Sequence, residues 1–257
     1  MSVSRWLGSL SVALAVVLAA AASVSARPAG GLSHRAPAVH SMIVGMNGVT
    51  LFAARTVRAS ATTVKVGRRR CPVAAGTPLA VLAAMRRAGG PAFAVRDYGH
   101  CGGSAANSAE LFVYSLGNEV NSGQDGWEYK VNGAAGSTGA GDPSGPSGNG
   151  RLLASGERVL WFWCVTGGGG CERTLEVAVS SPTVSAGGSL AVTVRGYDDE
   201  GRPVPVLGAT VTLGSQAAST SAGGRATLTA SVTPGSYPLS ASGQGLVPSF
   251  PETIVVR

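Results

Sequence analysis

The residue types in this chain that are best suited to binding are aromatic. Trp127 and Tyr129 alternate along one β-like segment, and Trp161 and Trp163 alternate along another. Since side chains two residues apart in a strand point to the same side, each pair shares a face. Such rings can stack on a sugar or a flat cofactor ring, with Asn132 as a polar contact in the first segment. The alternative is that the rings are core. We favour the core for Trp161 and Trp163 and expect Trp127 and Tyr129, which precede a glycine-rich loop, to be exposed.

No arrangement of residues in the sequence predicts catalysis. There is no G-x-S-x-G motif, and neither of the two lysines follows a glycine as in a phosphate-binding loop. Two of the three histidines, His34 and His40, lie in a segment without periodicity, and His100 abuts a cysteine. We therefore predict a non-enzymatic protein with no catalytic residue, no metal site and no cofactor. An exported enzyme with an unrecognised site is an alternative.

A cluster of three carboxylates, at residues 198 to 200, has two interpretations. Asp198, Asp199 and Glu200 offer oxygen ligands that suit calcium. Gly201 and Pro203 follow directly, and this pattern is typical of a solvated hairpin turn. We favour the turn.

The N-terminal segment indicates export. An apolar run from Trp6 to Ala22 follows Arg5, and small residues precede Ala26, which is the pattern of a signal peptide spanning residues 1–26. An uncleaved anchor is the alternative, but the unbroken run is short for a membrane span. We expect a secreted protein with no membrane span after cleavage. Residues 27–46 mix Pro, Gly, Ser and His, and this composition predicts a flexible arm.

The four cysteines are interpreted through this predicted export. An even number of cysteines in an oxidising compartment favours two disulfides, for which three pairings are possible. We favour Cys71 with Cys101, and Cys164 with Cys171, since the second pair brackets a glycine-rich turn. Metal binding by Cys71, His100 and Cys101 is the alternative, but C-x-x-C spacing is absent.

Positive charge is concentrated between His40 and Asp97, where the chain has basic residues but no acidic one. Such a patch can hold an anionic cell-wall polymer or glycan by screened attraction. The alternative is a solvated face in a chain that prefers arginine to lysine. A nucleic-acid partner is not expected, since no recognition motif is present. The candidate patch residues are Arg68, Arg69, Arg70, Arg86 and Arg87.

The first half of the chain has the pattern of strands with one helix. Residues 49–57 and 62–66 predict a hairpin. A helix begins after Thr77, with Pro78 in its first position, and ends at Gly89. Residues 133–150, which have no large apolar side chain, predict a flexible surface loop. Further strands are expected at residues 92–98, 111–116, 127–131 and 159–165.

From Thr174 onward, short alternating segments recur with Gly, Pro and Asp turns between them, a pattern typical of a β-sandwich. The predicted strands lie at 175–179, 190–194, 209–213, 226–230, 237–241 and 253–256. We expect this half to be a separate domain. Only 13% of the residues are charged and 44% are apolar, which excludes charge-driven disorder.

Three features of the first half together resemble a known family. They are Thr77-Pro78-Leu79 at a helix start, the segment Gly126-Trp-Glu-Tyr-Lys-Val-Asn-Gly133, and the segment Gly156-Glu-Arg-Val-Leu-Trp-Phe-Trp163. They are similar to the C-terminal β-grasp domain of transcobalamin and intrinsic factor, over about residues 47–165. The vitamin-carrier members lay this domain over cobalamin. The resemblance implies a β-grasp fold and a ligand-binding module, and a carrier for a corrinoid or similar small molecule is an alternative function.

The second half resembles the bacterial Ig-like domains of invasins and adhesins. The run from Val194 to Val206 and the segments at 208–213, 224–228 and 235–242 are similar to them. Such domains act as spacers or adhesive modules. Some pilin-like relatives carry a lysine-based crosslink, which is excluded within residues 174–257 because no lysine follows Lys130.

Together these observations predict a mainly β chain with one helix (α+β). A β-grasp-like domain at 47–171 is followed by an Ig-like β-sandwich at 174–257. The predicted function is that of a secreted binding or surface-interaction protein, with a ligand-binding module on an Ig-like spacer.

Overall fold

Alternation of apolar and polar residues folds nearly half of the described residues into strands, and one capped apolar segment forms a helix. The computed structural model describes residues 36–166 and 169–257, so the predicted signal peptide (1–26) lies outside the described residues. The elements of the first half are β1 (Ala38–Val44), β2 (Thr50–Arg58), β3 (Thr62–Val66), β4 (Arg69–Val73), α1 (Pro78–Arg87), β5 (Phe93–Asp97), β6 (Leu111–Leu116), β7 (Glu119–Val120), β8 (Gly126–Val131), β9 (Ala134–Ala135) and β10 (Arg158–Cys164).

A five-stranded sheet in the order β2-β1-β10-β8-β9 forms the centre of this half. β1 and β10 are parallel and the other pairs are antiparallel. The prediction of a flexible arm over 27–46 is wrong for residues 38–44, which form the inner strand β1. Val39 and Ile43 in β1 are fully buried, and this burial fixes a segment whose neighbouring Pro, Gly and His residues suggested mobility.

The predicted hairpin of residues 49–57 with 62–66 is also wrong. β2 pairs with β1, whereas β3 pairs with β4 in a separate hairpin. Gly67, at φ +58°, begins the tight turn between β3 and β4, which makes the local pairing available. The strands β5, β6 and β7 form a further small antiparallel sheet.

The helix begins and ends where the sequence predicts. Thr77 caps it, its hydroxyl accepting a hydrogen bond from Ala80 N at 3.2 Å, and Pro78 occupies the first turn. Leu79, Leu82 and Met85 are fully buried in the core between the helix and the sheets.

Residues 133–150 do not form the predicted free surface loop. Leu79 N donates to Ala140 O at 2.8 Å, and the Tyr129 hydroxyl donates to Thr138 O at 2.9 Å, so the segment is hydrogen-bonded to the helix and to β8. Small residues permit this close approach: a Cβ added at Gly139 would lie 1.9 Å from Ala109 O. The glycines that suggested mobility serve packing instead.

The second half is a β-sandwich, as predicted. One sheet contains β11, β13, β14 and β17, and the other has the order β12-β19-β18-β15-β16. Alternate residues of both sheets form its core, which includes Val194, Val211 and Ile254. The strands are β11 (Thr174–Val179), β12 (Thr183–Val184), β13 (Ser189–Tyr197), β14 (Pro203–Pro205), β15 (Thr210–Leu213), β16 (Gln216–Ser219), β17 (Arg225–Thr229), β18 (Gly235–Ser242) and β19 (Glu252–Val256).

The two halves share a third buried cluster. Phe162 and Leu160 on the outer face of the first sheet contact Val247 and Phe250 of the second half. All described residues belong to one compact unit. The mainly β fold class with one helix is confirmed, while the division into domains at 47–171 and 174–257 stays a prediction. Among the described residues, no helix has the length and apolarity needed to cross a membrane.

Candidate binding face

The four aromatic residues proposed as ligand contacts lie together in the core of the first half. Trp127 is 2% exposed, and its indole N–H donates to Glu119 O at 3.2 Å. It packs edge-on against Trp163, with ring centroids 5.8 Å apart. The expected exposure of Trp127 and Tyr129 is therefore wrong, and the core interpretation is confirmed for Trp161 and Trp163. The four rings belong to the same core cluster as the buried residues of the helix.

Tyr129 and Asn132 both have internal roles. The Tyr129 hydroxyl donates to Thr138 O at 2.9 Å, and burial raises the pKa of Tyr129 to about 12. Asn132 begins the turn after β8 at φ +49°. Its Oδ1 accepts from Arg158 N at 2.9 Å, and its Nδ2 donates to Glu157 Oε1 at 3.3 Å. Both side chains therefore hold neighbouring segments in place.

Both predicted disulfide pairings are confirmed. Cys71 on β4 is bonded to Cys101, and Cys164 at the end of β10 is bonded to Cys171. Bonding of Cys71 to Cys101 argues against the metal alternative, because thiolates are the sulfur ligands of metals. Two disulfides fit an oxidising compartment.

Among the described residues, the most exposed aromatic rings lie on the β5–β6 hairpin. Tyr98 is 65% exposed and Phe112 is 37% exposed, with ring centroids 6.0 Å apart. The Arg96 guanidinium lies over the ring of Tyr114, 4.6 Å from its centroid. We name these four residues, Arg96, Tyr98, Phe112 and Tyr114, the aromatic patch.

The aromatic patch was missed because the outward residues of β6 are themselves apolar or aromatic. Leu111 and Val113 point into the core, while Phe112 and Tyr114 alternate with them and point outward. If the outward residues of β6 were polar, the alternation of apolar and polar residues would have identified its exposed face. In β6 aliphatic residues alternate with aromatic residues instead, and this alternation was the signal that could have identified the aromatic patch.

The neighbouring β3–β4 hairpin has a positively charged outer face. Lys65 and Arg70 are directly opposite each other, and Arg68 occupies the turn. All three are exposed, and none makes an ion pair with another described residue. With Thr63 and Val64 they line a shallow cavity of about 290 Å³. We name Lys65, Arg68 and Arg70 the cationic hairpin.

The structure divides the five predicted patch arginines into two groups. Arg68 and Arg70 belong to the cationic hairpin, whereas the other three have internal partners. Arg69 pairs with the buried carboxylate of Asp97 at 3.0 Å. Arg86 donates to Gly90 O at 2.9 Å and Arg87 donates to Thr62 Oγ1 at 3.2 Å. Lys65, absent from the predicted set, replaces them as a charge that has no partner among the described residues.

The cationic hairpin and the aromatic patch adjoin. Strand β3 contacts strand β5, and Arg69, next to the turn of the cationic hairpin, pairs with Asp97, which directly precedes Tyr98. The resulting cationic–aromatic face offers unpaired positive charge beside exposed rings.

The three carboxylates of 198–200 form the predicted turn. Arg202 N donates to Asp198 Oδ1 at 2.7 Å, and Gly201 N donates to Asp198 O at 3.2 Å, which closes the hairpin between β13 and β14. Asp199 differs from its neighbours because its side chain turns towards the first half, where Lys130 Nζ lies 3.2 Å from Oδ1.

Comparisons with known proteins add little to this geometry. The sequence matches no protein-family model and no curated protein. Among solved structures, the D00-D0 domain of intimin is similar over 57% of this chain and 89% of that chain, at 13% identity and a TM-score of 0.25. A likeness of this size carries no argument, so the cationic–aromatic face is interpreted from its own contacts.

Proposed function

We propose that this chain is an exported, non-enzymatic protein that binds an acidic polysaccharide of a cell surface through its cationic–aromatic face. The second half acts as the spacer that carries this binding module. The observation that supports the proposal is that Lys65, Arg68 and Arg70 have no acidic partners among the described residues and lie on a hairpin that contacts β5. This strand directly precedes the exposed Tyr98 and pairs with the strand of Phe112.

The charges supply attraction and the rings supply preference for a sugar. Exposed cations attract a polyanion over a distance set by the ionic strength, about 10 Å at 0.1 M salt. Aromatic side chains stack on the apolar faces of sugar rings, which a simple polyanion lacks. A polymer repeats the same group, so a shallow face of modest affinity for one unit gains from many adjacent units.

The alternative of a corrinoid carrier loses the surface on which it depended. Trp127 and Tyr129, the rings suggested to contact a corrin, are buried in the core of the first half. The rings of Tyr98 and Phe112 in the aromatic patch are exposed, whereas small cofactors prefer enclosed sites.

Binding to a panel of polymers tests the proposal. The mature chain (27–257), produced with its disulfides, is titrated against polygalacturonate, neutral dextran of similar length, and inorganic polyphosphate. We expect the order polygalacturonate, then polyphosphate, with no binding to dextran. Equal binding of polygalacturonate and dextran, or no binding of either polyanion, contradicts the proposal.

Two double variants separate the contributions of charge and rings. Lys65→Ala with Arg70→Ala is expected to weaken binding of both polyanions about tenfold, which is about 1.4 kcal/mol. Phe112→Ala with Tyr114→Ala is expected to weaken only polygalacturonate. The matched control is Arg195→Ala with Arg225→Ala, which removes two exposed charges from the second half and leaves both affinities unchanged.

A further inference from the structure

A buried lysine lies at the junction of the two halves. Lys130 on β8 is 1% exposed, although its strand belongs to the first sheet. Its Nζ donates to Tyr197 O at 3.2 Å and to Asp198 O at 2.9 Å, both in the second half. The third polar group beside it is Asp199, with Oδ1 3.2 Å from Nζ.

The Asp199 carboxyl group is held in one orientation. Its Oδ2 accepts a hydrogen bond from Cys171 N at 2.9 Å, and its backbone oxygen accepts from Ala135 N at 2.9 Å. Oδ1 is buried and accepts no hydrogen bond from the described residues, and Lys130 Nζ lies 3.2 Å from it. The amine and the carboxyl group are therefore fixed against each other.

The surroundings of Lys130 favour its neutral amine. The Phe162 ring lies 5.6 Å from Lys130 Nζ, and burial lowers the pKa of Lys130 despite the opposing carboxylates at 198–200. Glu128 lies two residues before Lys130 and on the same side of β8. Desolvation, followed by the negative charge of Asp199, raises the pKa of Glu128 although part of its surface is exposed.

An ion pair with a buried amine is an energetically costly way to join two surfaces. The cost of removing both charges from water commonly equals or exceeds their attraction, so the pair is a weak source of stability. An amide bond between the same groups carries no charge. Two groups held at contact distance in fixed orientation react with effective molarities of about 10⁵–10⁸ M, which is enough to form bonds that do not form between free side chains.

We propose that Lys130 and Asp199 form an intramolecular amide bond that joins the two halves of the chain. Glu128 first takes one proton from the Lys130 ammonium group, and the lone pair of the neutral Nζ then attacks Cγ of the Asp199 carboxyl group. The Nζ–Cγ bond forms, one Cγ–O bond breaks, and one oxygen leaves with two protons as water. Glu128 transfers protons between the amine and the departing oxygen and ends in its starting state, so no oxidant, reductant or other co-reactant is consumed.

The bond gives the spacer a mechanical role. Residues 130 and 199 belong to different halves, so the amide would keep the binding module attached to the sandwich when a surface-bound polymer is pulled. It also differs from a crosslink within residues 174–257, which the absence of lysine there excludes.

Intact mass of the unvaried mature chain tests this proposal. The protein is denatured without reduction, so that an ion pair cannot persist, and its mass is compared with that calculated for 27–257 with two disulfides. We expect a deficit of about 18 Da, one water. The full calculated mass overturns the proposal and leaves an ion pair only.

Peptide mapping locates the bond. Trypsin cannot cleave after an acylated lysine, so after reduction the residues 97–151 are expected in one branched peptide with residues 196–225, since Pro203 blocks cleavage after Arg202. Free peptides 97–130 and 131–151 in place of the branched product contradict the assignment.

Variants separate the reacting groups from their neighbours. Lys130→Met and Asp199→Ala are expected to have their full calculated masses. Lys65→Arg, which changes the other lysine, and Asp198→Ala, which changes the adjacent carboxylate, are matched controls that keep the deficit. Glu128→Gln is expected to accumulate the unlinked chain, and complete linkage in this variant overturns the role assigned to Glu128.

Discussion

Lys65 and Arg70 are directly opposite each other on the β3–β4 hairpin, so two exposed positive charges share one face. Like charges in this position are destabilising, by up to about 1 kcal/mol for an opposed pair. The protein retains the arrangement although no carboxylate among the described residues pairs with either group. Binding of an external anion next to Lys65 and Arg70 would reduce this repulsion, which agrees with the proposed function.

Lys65→Glu is therefore expected to stabilise the protein and weaken its binding. The new carboxylate pairs with Arg70, and the free energy of unfolding in urea rises by about 0.2–1 kcal/mol at low salt. The gain should disappear at about 1 M salt, where the charges are screened. Destabilisation at low salt, or a gain insensitive to salt, would count against the repulsion argument.

Truncation of Trp127 is expected to lower stability, whereas truncation of Phe112 is expected to weaken binding. Trp127→Ala empties a buried site and should lower the free energy of unfolding by about 3–5 kcal/mol. Phe112→Ala, on the aromatic patch, should change it by less than about 1 kcal/mol while weakening polygalacturonate binding. Urea unfolding followed by circular dichroism measures both. A Trp127→Ala variant of unchanged stability would restore the interpretation of that ring as a surface contact.

The sequence was informative where local pattern and tertiary contacts agree. Thr77 and Pro78 predicted the helix start, and period-two segments predicted the sandwich strands. The sequence does not show that Trp127 is buried and Phe112 is exposed. Both residues belong to alternating strands, and only the packing of the sheets decides which face of a strand is covered. The sequence also predicted mobility for β1 and for residues 133–150, both of which are ordered in the fold. The small residues that suggested mobility in residues 133–150 allow close packing instead.

The contact between Lys130 and Asp199 could not be predicted from sequence. The two residues are far apart along the chain, and each looked ordinary: one in a strand motif, the other in an acidic turn. Only the docking of the β8–β9 turn against the β13–β14 turn brings them together. Likewise, Gly67 indicates a tight turn between β3 and β4. The predicted hairpin of residues 49–57 with 62–66 relied on the longer β-like runs and did not use this turn.

Tyr129 predicts a loss of stability at alkaline pH. Its folded-state pKa, about 12, lies above the ordinary value of 10, so its neutral form stabilises the fold at pH below 10. This contribution, about 2–3 kcal/mol, is lost as the pH rises from 10 to 12. Tyr129→Phe should flatten the decline in unfolding free energy over this range, and Tyr98→Phe is the matched control. Equal declines in the Tyr129 variant and the parent would contradict the prediction.

The two disulfides are expected to differ in their contributions. Cys71 and Cys101 are 30 residues apart and Cys164 and Cys171 are 7 apart. Chain entropy then gives about 3.7 kcal/mol for the first and about 2.4 kcal/mol for the second. Replacing each pair by alanine and comparing unfolding free energies checks this order. Loss of the first pair should also weaken polyanion binding, because Cys71 anchors the cationic hairpin, whereas loss of the second should not.

The salt dependence of polygalacturonate binding tests the central claim most directly. The dissociation constant of the mature chain is measured from about 0.05 to 0.5 M salt, together with those of the Lys65→Ala/Arg70→Ala variant and the Arg195→Ala/Arg225→Ala control. If the cationic–aromatic face binds the polymer, affinity falls steeply with salt in the parent and the control but much less in the hairpin variant. Equal salt dependence in all three proteins would contradict the account.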